Sequence, residues 1–321
     1  MKGSKRRISG QISGEDVVIE VAWMYYHDDL NQKEIADRLG ISRATVVNYL
    51  QEARQRGLIR ITLAAPTFTT HRLSGALCAR FGLRAAYVVP DEGVDAETTF
   101  LRVVRGAADW LPDLLAKGDR LGVAWGRTVY EIAEAVEMHE VEDMTVLQVV
   151  GSMATPYGFT AEACSTRLAQ RLSARCINLH APAVVSRAQL ARELRDEPIL
   201  KAQLDLLKTV TKFLFSVGTC ASDSHIVSSG LASLEDLRWH VEHGAVGVIS
   251  GRFIDADGRP VAGEMEQRMI GISLDRLVGL EMGILVTPGL DKVEPSLAAI
   301  RGGYVTHVVT SATVATALLA A

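Results

Sequence analysis

Residues 31 to 57, NQKEIADRLGISRATVVNYLQEARQRG, place two helical apolar patterns on either side of one glycine, so two short helices must meet at a tight bend. Ile35, Ala36 and Leu39 share a face of the first helix. Gly40 can take the left-handed backbone of the bend, and Ser42 can cap the second helix. Val46, Leu50 and Ala53 make the buried stripe of that second helix, whose other face carries Arg43, Ala44, Thr45, Asn48, Tyr49 and Gln51. Guanidinium, hydroxyl and amide groups on one helix face bond phosphates and base edges. The spacing therefore predicts a helix-turn-helix whose DNA-reading residues are Ser42, Arg43, Ala44, Thr45, Asn48 and Tyr49. A helix over 15–26, with Val18, Val21, Ala22 and Tyr25 inward, should pack beneath it, and the alternating segment 58–63 reads as a wing strand.

Charge agrees with a small reader on an acidic body. Residues 1 to 60 hold ten Lys or Arg against eight Asp or Glu, a net of +2, whereas the whole chain carries −4. The acidic total argues against a protein that coats DNA. Lys5, Arg6 and Arg7 read as a solvated tail. With 48% hydrophobic and 22% charged residues over 321 positions, the chain can build two domains and is not a disordered regulator. Cys78, Cys164, Cys176 and Cys220 lack metal-ligand spacing and read as reduced core residues, with no metal site. Neither a signal-peptide pattern nor a membrane-spanning apolar run is present, and a cytoplasmic protein is expected.

Pro66 closes the wing region, so the first domain is placed at 1–65 and the second at 66–321, with a connecting helix over 71–81. Strand-like runs follow at 85–89, 120–125, 145–150, 177–180, 213–217, 245–249, 284–286 and 306–310. Amphipathic stretches at 98–115, 129–136, 162–172 and 234–241 separate several of them. Such alternation predicts a Rossmann-like, doubly wound α/β domain with a parallel sheet covered on both faces. Residues 251–258 read as a strand entering an Asp-Gly turn.

Ligands of such sheets gather beyond the carboxyl ends of the strands. Four strand-end loops stand out: Gly126-Arg127-Thr128, Gly151-Ser152 with the helix beginning near Glu162, Gly218-Thr219, and 287–292 ending in Lys292. A glycine after a strand is ordinarily only a turn. Four such loops, two with a cation, predict an anionic small-molecule site. An enzyme is the rival reading, with Asp223 and His225 as general base and partner.

Along nearly its whole length the chain resembles the SorC family of bacterial sugar-binding transcriptional regulators. The resemblance is carried by 23–61, by LGVAWGRT at 121–128, by GVISGRFIDADGRP at 247–260 and by TPGLDKVEPSLAAIRGG at 287–303. It implies a winged helix-turn-helix followed by an effector domain similar to sugar-phosphate isomerases and deaminases. It further implies a non-enzymatic homotetramer that binds operator DNA, needs no cofactor and responds to a phosphorylated sugar or polyol. Position by position, Gly126, Arg127 and Thr128 match the family's phosphate loop and Lys292 its anion-binding lysine. Gly151, Ser152 and Glu162 match places that contact the sugar, and Gly218 completes the expected effector set. The chain departs from many relatives at Val47-Asn48 and from some at Val248.

Overall fold

The computed structural model describes residues 14–59, 63–153 and 158–321. The expected wing strand rests on 60–62 and the basic tail on the first thirteen positions, so both lie outside the described residues. The chain forms two compact units that meet between Leu63 and Ala64.

The first unit contains α1 (Gly14–Tyr26), α2 (Gln32–Leu39) and α3 (Arg43–Gln55). A capping box starts α2: the Asn31 side chain accepts from the N–H groups of Lys33 and Glu34, and Glu34 accepts from the Asn31 N–H. The bend falls at Gly40, with φ 67°, and the Ser42 hydroxyl accepts from the Thr45 N–H at 3.1 Å to begin α3. Val21, Met24, Ile35, Ala36, Val46 and Leu50 form the main core, while Val18, Ala22 and Ala53 form a second cluster. The Arg54 guanidinium donates to the Tyr26 hydroxyl at 2.8 Å, joining the ends of α1 and α3.

The second unit is built on a seven-stranded sheet. Its strands are β1 (Ala85–Val89), β2 (Arg120–Val123), β3 (Thr145–Gln148), β4 (Arg175–Ile177), β5 (Lys212–Phe215), β8 (Met282–Thr287) and β9 (His307–Ser311). They run parallel in the order β1-β9-β8-β5-β2-β3-β4. Apart from the edge strand β4 they are almost wholly buried, because crossover helices cover both faces. The chain leaves β2 toward β3 on one side and returns to β5 on the other, so the order reverses at the β2–β5 pair. Helices on either side of that switch point diverge and leave a crevice at the carboxyl edge.

Three expectations are corrected. Residues Ala245–Ile249 do not join the large sheet: as β6 they pair antiparallel with β7 (Arg252–Asp255) in a two-stranded hairpin. Only Ser250 and Gly251 separate these runs, and a two-residue loop permits nothing but antiparallel pairing. Pro66 does not break structure but sits in the first turn of a short helix, Ala65–Thr69, where its missing N–H costs nothing. Among the cysteines, all free, Cys164 is buried whereas Cys176 is exposed and Cys78 and Cys220 are half-buried, so core burial holds for one of the four. Among the described residues no cluster of His, Cys, Asp or Glu could hold a metal ion, and no helix is long and apolar enough to cross a membrane.

Candidate functional site

On α3 the stripe Val46, Leu50 and Ala53 is buried, which turns Ser42, Arg43, Ala44, Val47, Asn48 and Gln51 outward. The Arg43 guanidinium donates to the Gln32 side chain at 3.1 Å, so the start of α2 orients it. Two expected reading residues are partly committed elsewhere. Thr45 is half-buried, with its hydroxyl 2.8 Å from that of Ser42. Tyr49 is half-buried and packs against both core clusters, which leaves its ring in the helix interface rather than on the open face.

In the second unit a cleft of about 830 Å³ opens at the carboxyl edge of the sheet. Loops after β1, β9, β8, β5 and β2 line it, bringing together Gly126, Arg127, Thr128, Gly218 and Lys292 with Ser216, Asp223 and His225. Gly126, at φ 115°, precedes the helix Arg127–Ala135, and no side chain caps that helix. Its first-turn N–H groups are therefore available to an anion, and the positive end of the helix dipole points at the cleft.

The two cations differ. Lys292 is half-buried, and its ammonium donates to the Ser216 hydroxyl at 3.1 Å; among the described residues it forms no ion pair. Burial holds this ammonium below its ordinary pKa, opposed by the charge of Asp291. Arg127 is paired with Glu97 and lies over the Phe100 ring, 4.2 Å from its centroid. It enters the cleft already paired. His225 is held below its ordinary value by burial first and then by the charges of Lys292 and Arg127.

Gly151, Ser152 and Glu162 are not among the lining residues. Their loop follows β3, on the far side of the switch point, and its backbone is consumed locally. The Gly151 N–H donates to the Ile270 carbonyl at 3.0 Å, the Ser152 N–H to that of Ala181 at 2.7 Å, and the Ala183 N–H to that of Ser152 at 2.7 Å. A Cβ on Gly151 would lie 2.6 Å from the carbonyl oxygens of Ala181 and Pro182, so glycine is needed there for close backbone approach. Gly218 does line the cleft, but its N–H and carbonyl both bond Val248, at 2.8 and 3.0 Å, and thereby fasten the β6–β7 hairpin to the sheet.

Sequence reasoning missed Glu97, Phe100, Ser216 and Ser250. The first three come from elements remote from their partners and carry no local signal. Ser250 had one: two strand-like runs separated by Ser-Gly mark a hairpin tip.

An open polar helix face in one unit and a polar cleft on a parallel sheet in the other define a DNA-binding regulator with a small-molecule domain. A family described as "Putative sugar-binding domain" matches residues 65–320, and the MarR family matches residues 21–67. The chain is 35% identical over 317 residues to the transcriptional regulator YjhU of Escherichia coli (strain K12), covering 97% of each protein. It is 31% identical over 316 residues to the transcriptional regulator LsrR of Klebsiella pneumoniae, covering 96% of this chain and 94% of that one. The crystal structure of the full-length sorbitol operon regulator SorC from Klebsiella pneumoniae shares the fold, with a TM-score of 0.77 at 22% identity over 96% of this chain and 99% of the other. The chain belongs to the SorC/DeoR-like family of transcriptional regulators with a sugar-binding domain.

Proposed function

We propose that the protein controls a carbohydrate or polyol catabolic operon by binding operator DNA through α3, and that a phosphorylated sugar or sugar alcohol in the cleft changes that binding. The observation that carries this reading is the meeting, in one cleft, of the uncapped helix N-terminus at Gly126–Thr128 with the Lys292 ammonium, which has no carboxylate partner among the described residues. Such a pair suits a phosphate. Gly126, Arg127, Thr128, Gly218 and Lys292 would hold the effector, while Gly151, Ser152 and Glu162 would act only by shaping the neighbouring loop. In the DNA complex Arg43 and Asn48 would contact base edges, and Ala44 and Val47 would offer apolar contacts to thymine methyl groups. Assembly as a homotetramer in the cytoplasm would let two readers engage half-sites about 34 Å apart or a multiple of that.

Because a ligand shifts an equilibrium only through its differential affinity for two states, the cleft must differ between DNA-competent and incompetent forms. Mobility-shift titration on operator DNA, with and without a panel of sugar and polyol phosphates, is the test. Arg43→Ala or Asn48→Ala should weaken operator binding by about 1–3 kcal/mol where the residue makes a bidentate base contact. Undiminished affinity in both variants would remove α3 from the reading role.

A second reading, a sugar-phosphate isomerase or deaminase, is favoured by one observation: burial first, and then the charges of Lys292 and Arg127, hold the His225 imidazole below its ordinary pKa, the direction that favours the neutral form a general base requires. Turnover of sugar phosphates by the purified protein would establish it; the regulator reading expects none.

A further inference from the structure

Among the described residues only three buried side-chain nitrogen or oxygen atoms have no hydrogen-bond partner: Arg171 Nε, Ser224 Oγ and Ser250 Oγ. Both serines line the cleft. A buried hydroxyl without a partner is costly, and native structures keep few of them without a reason.

Neither serine is explained by its local structure. Ser250 is 7% exposed and forms the tip of the β6–β7 hairpin with Gly251, at φ 48° and 82°. Positive φ at both central positions is the primed turn that favours Asn-Gly or Gly-Gly, so a serine there is strained and supplies no turn chemistry in return. Ser224 precedes the helical turn His225–Ser228, where a serine ordinarily caps through its hydroxyl, yet its Oγ makes no cap bond. One serine comes from the loop after β5 and the other from the hairpin fastened to that loop through Gly218 and Val248. Two segments thus deliver the same unsatisfied group to one cavity, which the helix N-terminus and Lys292 already make anion-seeking.

We propose that Ser224 and Ser250 read the hydroxyl groups of the effector's carbon chain, so that the cleft selects a polyhydroxylated phosphate ester over inorganic phosphate and over esters lacking the matching hydroxyls. The proposal rests on the reading of this cleft as a phosphate-ester site. A serine hydroxyl both donates and accepts, which suits the hydroxyls of a sugar or polyol. A site built to bond a hydroxyl also rejects the analogue lacking it, because its own buried group then stays unpaired.

The experiment is calorimetric titration of the full-length protein with inorganic phosphate, pentitol and hexitol phosphates, and aldose, ketose and deoxyaldose phosphates of five and six carbons. Wild type is compared with Ser224→Ala, Ser250→Gly and Lys292→Ala, and each ligand-free melting temperature is recorded. At least one hydroxylated ester should bind wild type ten or more times tighter than inorganic phosphate. Each serine variant should weaken that ester by about 3- to 10-fold, as expected for one hydrogen bond. Ser250→Gly, which relieves the left-handed residue and removes the orphan hydroxyl, should melt at the same temperature or a few degrees higher. Affinity lost in Lys292→Ala but kept in both serine variants would overturn the serine assignment and leave the phosphate-ester site standing. A Ser250→Gly protein that melts well below wild type would make the serine a structural residue and overturn its reading role. If no probe binds wild type, or Lys292→Ala binds as tightly as wild type, the phosphate-ester reading fails and this assignment with it.

Discussion

Each edge of the large sheet holds one inward lysine, and the two edges treat it oppositely. At the amino edge, Lys212 at the start of β5 meets the Asp119 carboxylate at 2.7 Å and the Leu114 carbonyl at 2.7 Å, with the lysine and aspartate side chains both packed away. His307 at the start of β9 lies 6% exposed near the Trp110 ring and bonds the Thr306 hydroxyl at 2.8 Å. At the carboxyl edge, beyond β5 and β8, Lys292 has only the Ser216 hydroxyl, and two nearby serine hydroxyls have nothing. Burial alone does not mark a functional cation. What separates the edges is whether the polar groups are satisfied within the chain, and the edge with unmet valence is the one that faces the cleft.

Lys212 should show the largest effect and is where a difference between the edges is easiest to break. Lys212→Ala strands a buried carboxylate, and unfolding in urea should show a loss of about 3–5 kcal/mol. Adding Asp119→Leu to a Lys212→Met background should recover much of it. A single variant as stable as wild type would mean that the amino edge is open to water after all.

His307 gives the next effect. Burial first, and then the charges of Arg84 and Lys212, hold its imidazole down at about 4 from an ordinary 6.5. Between those values the unfolded chain binds a proton that the folded chain refuses. Stability should therefore fall as pH drops through this window, by up to about 3 kcal/mol. His307→Asn should flatten that part of the profile in urea midpoints measured from pH 7 to 4; an unaltered slope would assign the acid sensitivity to other groups.

At the other edge the effect should fall on ligand rather than fold. Lys292→Ala is expected to change unfolding free energy by less than about 1 kcal/mol, since the variant leaves no buried charge behind. It should weaken a phosphorylated ligand by about 1.5–3 kcal/mol, at least about tenfold in the concentration that alters operator binding. A Lys292 variant that unfolds as readily as the Lys212 variant would erase the distinction between the edges.

The same contrast explains what could be read from residues alone. The helix-turn-helix was legible because its signals are local: Asn31, Gly40, Ser42 and the stripe Val46-Leu50-Ala53 act within a few turns of one another. The alternation of strands and helices likewise announced a parallel α/β domain, although β6 was assigned to it wrongly because an apolar run does not declare its pairing partner. Individual site residues were harder. Gly126 and Lys292 follow strands and reach the cleft; Gly151 and Ser152 follow a strand and do not. Only the position of β3 beyond the switch point separates these cases, and strand order is a long-range property. The pairing of Arg127 with Glu97 across 30 positions, and the empty hydroxyls of Ser224 and Ser250, depend on packing that no short window encodes.

The pairing of Arg127 with Glu97 also bears on what the cleft ignores. Small anions such as chloride, acetate and free phosphate would all be collected by a doubly cationic pocket. With one of the two cations answered by a carboxylate of the same chain and seated on the Phe100 ring, such species meet a single uncompensated charge and gain little by entering. Occupancy then depends on what a molecule carries besides its charge.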